Sequence, residues 1–409
     1  MLNQSKIRTM VIDDSLVFRK FLIENLPKLQ PQIEIVGYAI NAYDAMRKVP
    51  ELKPDVITLD IEMPRMSGID FLKELLPKHP IPVILVSSLN VSVFDALSYG
   101  AVDFVRKPDM SAENSTNLFL KNLSSKVSIA SHAKVRLPAA LRQRPQPGQT
   151  SNRSSLGQGQ NQRKQPQPVS NLTANRPNQT VSNAGIPSKG TVPSTNKAGA
   201  SALYNSIIKL TSTASLRLNS TIIAIGASTG GTEATLDVMR QLPADIPGIV
   251  ITQHMPKGFT QMYAERLNRL CQMQVKEAED GDVIKRGLAL LAPGGDLQMK
   301  VVKDGGIYKV RCVPGEKVNG HRPSVDVLFD STAETVGKNA VGIILTGMGQ
   351  DGAEGLLRMR KAGAYTIGQD KDSCVVYGMP MVAYKLGAVC SQASCLAIPG
   401  VLMKYLNGF

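Results

Sequence analysis

Three residue types that together perform acyl transfer stand just beyond apolar runs in the second half of the chain. Ser228 closes TIIAIGAS, His254 follows IVITQ, and Asp351 follows VGIILTGMGQ. A serine hydroxyl is a weak nucleophile until an imidazole takes its proton, and that imidazole needs a carboxylate to orient it and stabilise its charged form. The stretch Thr221 to Gly231, TIIAIGASTGG, drops from a β-branched run into small residues, which puts the Ser228 hydroxyl at a strand-to-helix corner. The first N–H groups of the following helix offer hydrogen bonds and positive potential to a developing oxyanion. By itself the stretch reads more readily as a packing turn or a phosphate-cradling glycine loop, which is what most Gly-rich βα turns are. Histidine scarcity narrows the choice: of four, His79 precedes Pro80 and His132 lies in a polar stretch, so only His254 and His321 remain for this half. A single His after a strand is more often structural than catalytic. Hydroxyl, imidazole and carboxylate at the carboxyl ends of three strands of one parallel sheet, however, share a rim, which is the geometry of a Ser-His-Asp triad. Backbone N–H groups near Thr229 or Met348 are the oxyanion candidates, each worth roughly two to three powers of ten in rate.

A second constellation occupies the first 107 residues. Asp13 and Asp14 follow a β-rich run, Asp60 ends VITLD, Ser87 ends PVILVS, and Lys107 stands in a Lys-Pro pair. Three converging carboxylates repel one another unless a cation neutralises them, and a hard, oxygen-liganded ion such as Mg²⁺ is the physical expectation. With a metal polarising a phosphoryl donor, Asp60 can act as nucleophile and form an acyl phosphate, Lys107 pairing with it and Ser87 donating to it.

The elements that must carry these groups follow from periodicity. In the first part, apolar runs over 7–12, 33–38, 55–59, 82–86 and 102–105 read as strands, with helical periods over 15–26, 42–49, 69–76 and 91–99. Five βα repeats predict a parallel, doubly wound sheet with its chemistry beyond the strands' carboxyl ends. From Asn219 onward the rhythm returns: strands over 222–225, 249–252, 341–345 and 365–368, helices over 232–242, 259–270, 324–336 and 353–361, and a β-rich middle over 287–313. The sequence thus predicts a doubly wound parallel α/β domain over 1–125, a linker over 126–218 and a second doubly wound α/β domain over 219–409.

The linker follows from charge. The net charge is +14, yet residues 121–218 contain fourteen Lys and Arg and no Asp or Glu, leaving the remainder balanced at 33 against 33. This Gln-, Asn-, Ser- and Pro-rich stretch cannot bury enough apolar surface to offset its ordering entropy, so it reads as a disordered tether. A basic arm for an acidic partner is the lesser alternative. Five cysteines without a CxxC pair argue for reduced thiols rather than a disulfide frame or zinc site. The amino terminus lacks the apolar core of a signal peptide, and no run reaches the length of a membrane span, which predicts a cytoplasmic protein.

The motifs also resemble known families. The Asp-Asp pair, LDIEMPRMSG, VSS and the Lys-Pro pair look like a two-component receiver domain. The resemblance implies Asp60 as phosphoacceptor, Mg²⁺ held by Asp13, Asp14, Asp60 and the carbonyl of Glu62, and a switch of Ser87, Phe104 and Lys107, with residues 94–104 as the surface that changes. GASTGG, QHMP, APGG (292–295), HRPSVDVLF (321–329) and TGMGQDGA resemble, in order, the catalytic domain of the chemotaxis protein-glutamate methylesterase (CheB) family. That implies hydrolysis of receptor glutamate methyl esters and deamidation of receptor glutamines by Ser228, His254 and Asp351, with no cofactor for the esterase chemistry. His321 would line the substrate channel or pack there. Expected partners are methyl-accepting chemoreceptors and a CheA-type histidine kinase, with the protein a monomer. The resemblance also implies a receiver that covers the cleft until phosphorylated, although a linker this long lowers its effective concentration there. Two rivals explain less. A DNA-binding regulator is disfavoured because the positive charge is linker-borne and no helix-turn-helix is evident, so no nucleic acid is expected. A nucleotide-binding output lacks a GxxxxGK[ST] run, and neither rival uses His254 and Asp351.

Overall fold

Short β-branched runs bounded by small residues become strands, and the amphipathic stretches between them become the covering helices. The computed structural model describes residues 5–88, 92–137 and 215–408. The first sheet contains β1 (Ile7–Ile12), β2 (Ile33–Ala39), β3 (Val56–Leu59), β4 (Val83–Ser87) and β5 (Asp103–Arg106), all parallel, in the order β2-β1-β3-β4-β5. Its helices are α1 (Leu16–Leu29), α2 (Ala42–Leu52), α3 (Gly68–Leu75), α4 (Ser92–Ser98) and α5 (Glu113–Ala130). Ser15, Asn41 and Ser67 cap the first three by accepting N–H groups of the first turn. Helix α1 runs to Leu29, past the expected end at residue 26, although Pro27 in its last turn forfeits one ladder bond.

Helix α5 was not foreseen, and it shortens the linker expected over 126–218. Leu123, Val127 and Ala130 are fully buried, so residues 126–130 are the last turns of the receiver rather than the start of a tether. Residues 131–137 continue as ordered chain, with Lys134 donating its N–H to Val375 at 2.9 Å. The expected disorder over 138–214 falls outside the described residues.

The chain resumes in α6 (Ser215–Ser220) and enters β6 (Ile222–Ala227), α7 (Gly231–Met239), β7 (Gly248–Gln253) and α8 (Phe259–Leu270). Next come β8 (Gln274–Glu277), β9 (Leu288–Leu291) and an antiparallel hairpin of β10 (Leu297–Asp304) and β11 (Ile307–Pro314). The remaining elements are α9 (Val325–Val336), β12 (Ala340–Ile344), α10 (Ala353–Lys361), β13 (Tyr365–Gln369), α11 (Met379–Lys385), β14 (Ser391–Ala393) and α12 (Ile398–Leu406). Seven parallel strands form the second sheet in the order β14-β13-β12-β6-β7-β9-β8. Strands β6, β7, β12 and β13 have almost every residue buried, as expected for a sheet covered on both faces. From β6 the chain first builds toward β8, then returns to the other side of β6 with β12. The strand order reverses there, and such a switch point opens a crevice beyond the carboxyl ends.

Candidate active site

Ser228, His254 and Asp351 follow β6, β7 and β12, the three neighbouring strands at that reversal. Ser228 is fixed by its backbone. Its N–H donates to the Thr346 carbonyl at 3.0 Å, and its own carbonyl accepts from Gly231 N–H at 2.7 Å and from Gln253 Nε2 at 2.9 Å. Gly230, at φ +75°, begins α7 without a side-chain cap, and a Cβ there would lie 2.5 Å from Val375 Cβ. That explains the paired glycines of the stretch. The N–H groups of Thr229 and Met348 donate to no group among the described residues.

The His254 N–H donates to the Ala227 carbonyl at 3.1 Å, and its ring joins the other two side chains. Nδ1 lies 3.1 Å from Ser228 Oγ, and Nε2 lies 2.7 Å from Asp351 Oδ2. Asp351 is buried and heavily solvated by protein: Oδ2 also accepts from Val325 N–H at 2.7 Å, and Oδ1 accepts from Ser324 Oγ at 2.7 Å, Asn319 Nδ2 at 3.2 Å and Asp326 N–H at 3.2 Å. Burial pushes its pKa up, but the hydrogen bonds from His254, Ser324 and Val325 outweigh it and hold the carboxyl well below the usual range. His321 makes no hydrogen bond to the other three; its ring lies flat on that of His254, with centroids 3.7 Å apart and planes 8° from parallel.

Sequence reasoning did not assign roles to the supporting residues. Asn319 and Gly320, at φ +52° and +80°, form a tight turn closed by mutual backbone hydrogen bonds between Val318 and His321 at 3.0 and 2.9 Å. The Asn-Gly pair was a visible signal for this turn. Nothing local marks Gln253 or Thr346, whose partners lie across the sheet.

In the first domain, oxygens of Asp13, Asp14 and Asp60 come within 4.8 Å of one another. Lys107 Nζ bridges Asp60 Oδ2 at 2.6 Å and Asp13 Oδ2 at 2.9 Å. Burial raises the pKa of Asp60 despite the pull of Lys107. Ser87 Oγ is buried without a partner at the same strand edge. An all-oxygen donor set with an orphaned hydroxyl beside it fits a divalent cation and an incoming phosphoryl group.

Residues 94–104 lie against the second domain. Phe104 is 4% exposed and packs 4.5 Å from Phe259, and Phe94 stacks on Tyr263 at 5.5 Å. Beside them Asp103 accepts from Thr229 Oγ1 at 2.7 Å, while its other oxygen pairs with Lys126 at 2.5 Å. The receiver therefore touches the residue adjoining Ser228.

Fold and site define a response regulator whose output is a parallel α/β domain equipped for acyl transfer. The response regulator receiver domain family matches residues 9–115 and the CheB methylesterase family residues 223–402. A protein-glutamate methylesterase/protein-glutamine glutaminase 2 of Syntrophomonas wolfei is 45% identical over 98% of both chains. The corresponding protein of Syntrophotalea carbinolica is 44% identical over 95% of this chain and 94% of its own. Among solved structures, the Thermotoga maritima CheB methylesterase catalytic domain is 36% identical, covering 45% of this chain and 98% of that one, with a TM-score of 0.44. This chain belongs to the protein-glutamate methylesterase/protein-glutamine glutaminase family.

Proposed function

We propose that the protein hydrolyses glutamate methyl esters on chemoreceptors and deamidates receptor glutamines, through Ser228, His254 and Asp351 and under control of phosphorylation at Asp60. The observation that carries this reading is the unbroken path from Ser228 Oγ through His254 to Asp351. With Nε2–H donating to Asp351, the Nδ1 lone pair faces the Ser228 hydroxyl. As Oγ attacks the ester carbonyl, Nδ1 takes its proton and Asp351 stabilises the resulting imidazolium. The N–H groups of Thr229 and Met348 receive the oxyanion. The proton then passes to the leaving methoxy oxygen, methanol departs, and an acyl-enzyme remains. Water, deprotonated by His254, attacks that ester; the tetrahedral intermediate releases Ser228, which regains its proton, and leaves the glutamate carboxylate. A glutamine side chain follows the same course with ammonia as leaving group.

In the receiver, Asp13, Asp14, Asp60 and the Glu62 carbonyl would hold Mg²⁺, which when bound neutralises charge on the phosphoryl donor and acceptor. Lys107 and Ser87 then receive the phosphoryl oxygens on Asp60, and Phe104 reports the change to the surface packed on α8. The phosphodonor is a histidine kinase of the CheA type. The active species is a monomer in the cytoplasm; among the described residues no helix is long and apolar enough to cross a membrane. The receiver comprises the residues through α5, the basic segment that follows is a tether, and catalysis belongs to the residues from Asn219 onward.

Methanol release from methylated receptor membranes, with and without a small phosphodonor and Mg²⁺, tests this reading. Ser228→Ala should abolish release, and Asp60→Asn should lose only its stimulation by the phosphodonor. Release by Ser228→Ala at the parent rate would sink the nucleophile assignment.

A further inference from the structure

Two in-plane hydrogen bonds hold His254 at opposite edges of its ring, to Ser228 and to Asp351. Both meet the ring only at its nitrogens and support neither of its faces, and a tilt spoils the alignment of the Nδ1 lone pair with Oγ. The element that opposes it is the neighbouring ring of His321. At a centroid distance of 3.7 Å and an angle of 8° the two imidazoles are in van der Waals contact, so no water fits between them.

His321 is itself rigidly mounted. The turn at Asn319 and Gly320 is closed by both Val318–His321 backbone hydrogen bonds. Arg322, next in sequence, donates to the carbonyls of Gly295 at 3.0 Å and Gly315 at 2.8 Å. Asn319 ties the same turn to the Asp351 carboxylate. One loop therefore places a flat ring on the face of the base and a donor on the acid that orients it.

We propose that His321 is a positioning residue for the acyl-transfer reaction: as a neutral, flat ring stacked on His254, it holds the imidazole in line with Ser228 and Asp351 and keeps water off that face. It deepens, and rests on, the assignment of Ser228 and His254 above. Burial, with the adjacent His254 second, pushes the His321 pKa down to about 4, so the ring stays uncharged at neutral pH; Lys126 and Lys317 act in the same direction and Asp351 against it. The neutral ring keeps its single N–H, and the role uses neither nitrogen as an acid or a base.

The role requires a flat ring rather than an imidazole, and that distinction makes it testable in the full-length, phosphodonor-activated protein. His321→Phe keeps the plane and removes both nitrogens, His321→Leu keeps much of the volume without the plane, and His321→Ala removes both. His321→Phe should retain kcat for methanol release within about threefold of the parent, whereas Leu and Ala should lower it about tenfold, the scale of a lost stacking contact and a displaced base. KM should change by less than about twofold, since the residue acts on the base and not on the substrate. Phosphoryl uptake at Asp60 and the far-ultraviolet circular dichroism of each variant report folding; if Ala fails to fold, the Phe and Leu pair decides. Phe as impaired as Ala, Leu and Ala at the parent kcat, or a loss confined to KM would each overturn the proposal. Ser228→Ala run alongside separates the two levels: activity there defeats the nucleophile assignment, while inactivity there with unaffected His321 variants defeats only this inference.

Discussion

Asp351 shows how much of the site is built around a single carboxylate. Besides His254 it accepts from Ser324, Asn319 and two backbone N–H groups, so its charge is fixed and its orientation leaves one lobe for the imidazole. Ser324→Ala removes one buried donor, and a buried hydrogen bond to a charged group contributes about 1.5–3 kcal/mol. The expected result is a fall in kcat of about tenfold with KM little changed, read from methanol release at several substrate concentrations. Two perturbed side chains of the site also contribute to the pH dependence of stability. His321 is lowered in the folded state from its ordinary 6.5 to about 4, so between these values the unfolded chain binds more protons. The His321 contribution to stability therefore falls as pH drops from about 6.5 toward 4, because a half-buried ring faced by His254, Lys126 and Lys317 must be charged, with Asp351 opposing them. The depressed Asp351 contributes stability above the ordinary carboxylate range and loses it only at lower pH, as the acid is titrated through its folded pKa. Denaturant melts stepped from pH 7 to 4 should show the upper decline in the parent and a flatter curve in His321→Phe. An equal slope in both would contradict the assignment.

At the level of elements, glycines decide how closely the strands and helices of the site approach. Gly226 lies in β6 under α9, where a Cβ would overlap Val325 Cγ1 and stand 3.1 Å from Phe329 Cζ. Overpacking of that kind costs about 1–3 kcal/mol, so Gly226→Ala should lower the thermal midpoint by several degrees. Gly347 is tight for a different reason: its Cβ would come within 2.6 Å of Ser228 Cβ and would overlap Met379 Sδ. Gly347→Ala should therefore displace Ser228, the proposed nucleophile, and lower kcat far more than a stability loss of the same origin predicts. Thermal melts and methanol release on the same preparations separate the two cases.

For the molecule as a whole, the contact between Asp103 and Thr229 links receiver and output. Asp103 adjoins Phe104, the expected switch aromatic, and Thr229 adjoins Ser228. Lys126 from α5 pins the other oxygen of Asp103, and the ring pairs Phe104–Phe259 and Phe94–Tyr263 flank the junction. Anything that holds Thr229 in the receiver's grip competes with substrate for the same turn, so Asp103→Ala should raise methanol release by the unphosphorylated protein several-fold and shrink its stimulation by phosphodonor. Basal release equal to the parent would show that this hydrogen bond does not restrain the site. Of the basic residues between 121 and 218, Lys126 takes part in this junction through Asp103, and Arg136 pairs with Asp237 of α7 at 3.3 Å.

The alternation of apolar runs and helical periods was enough to give two parallel α/β domains, because strand burial on both faces and the turn chemistry between them are local properties written in short stretches. It was also enough to put Ser228, His254 and Asp351 at strand ends, and Asp13, Asp14, Asp60 and Lys107 at another set. Helix α5 escaped because its polar, weakly amphipathic sequence, ENSTNLFLKNLSSKVSIA, blends into the basic segment that follows; only packing of Leu123, Val127 and Ala130 marks it as part of the core. The tertiary structure alone decided which nitrogen of His254 faces Ser228, that His321 lies flat on that ring, and that Asp103 grips Thr229 from 126 residues away. Those relations depend on distances between elements remote in the chain, and such distances are set by how whole sheets and helices pack, not by the residues that flank each group.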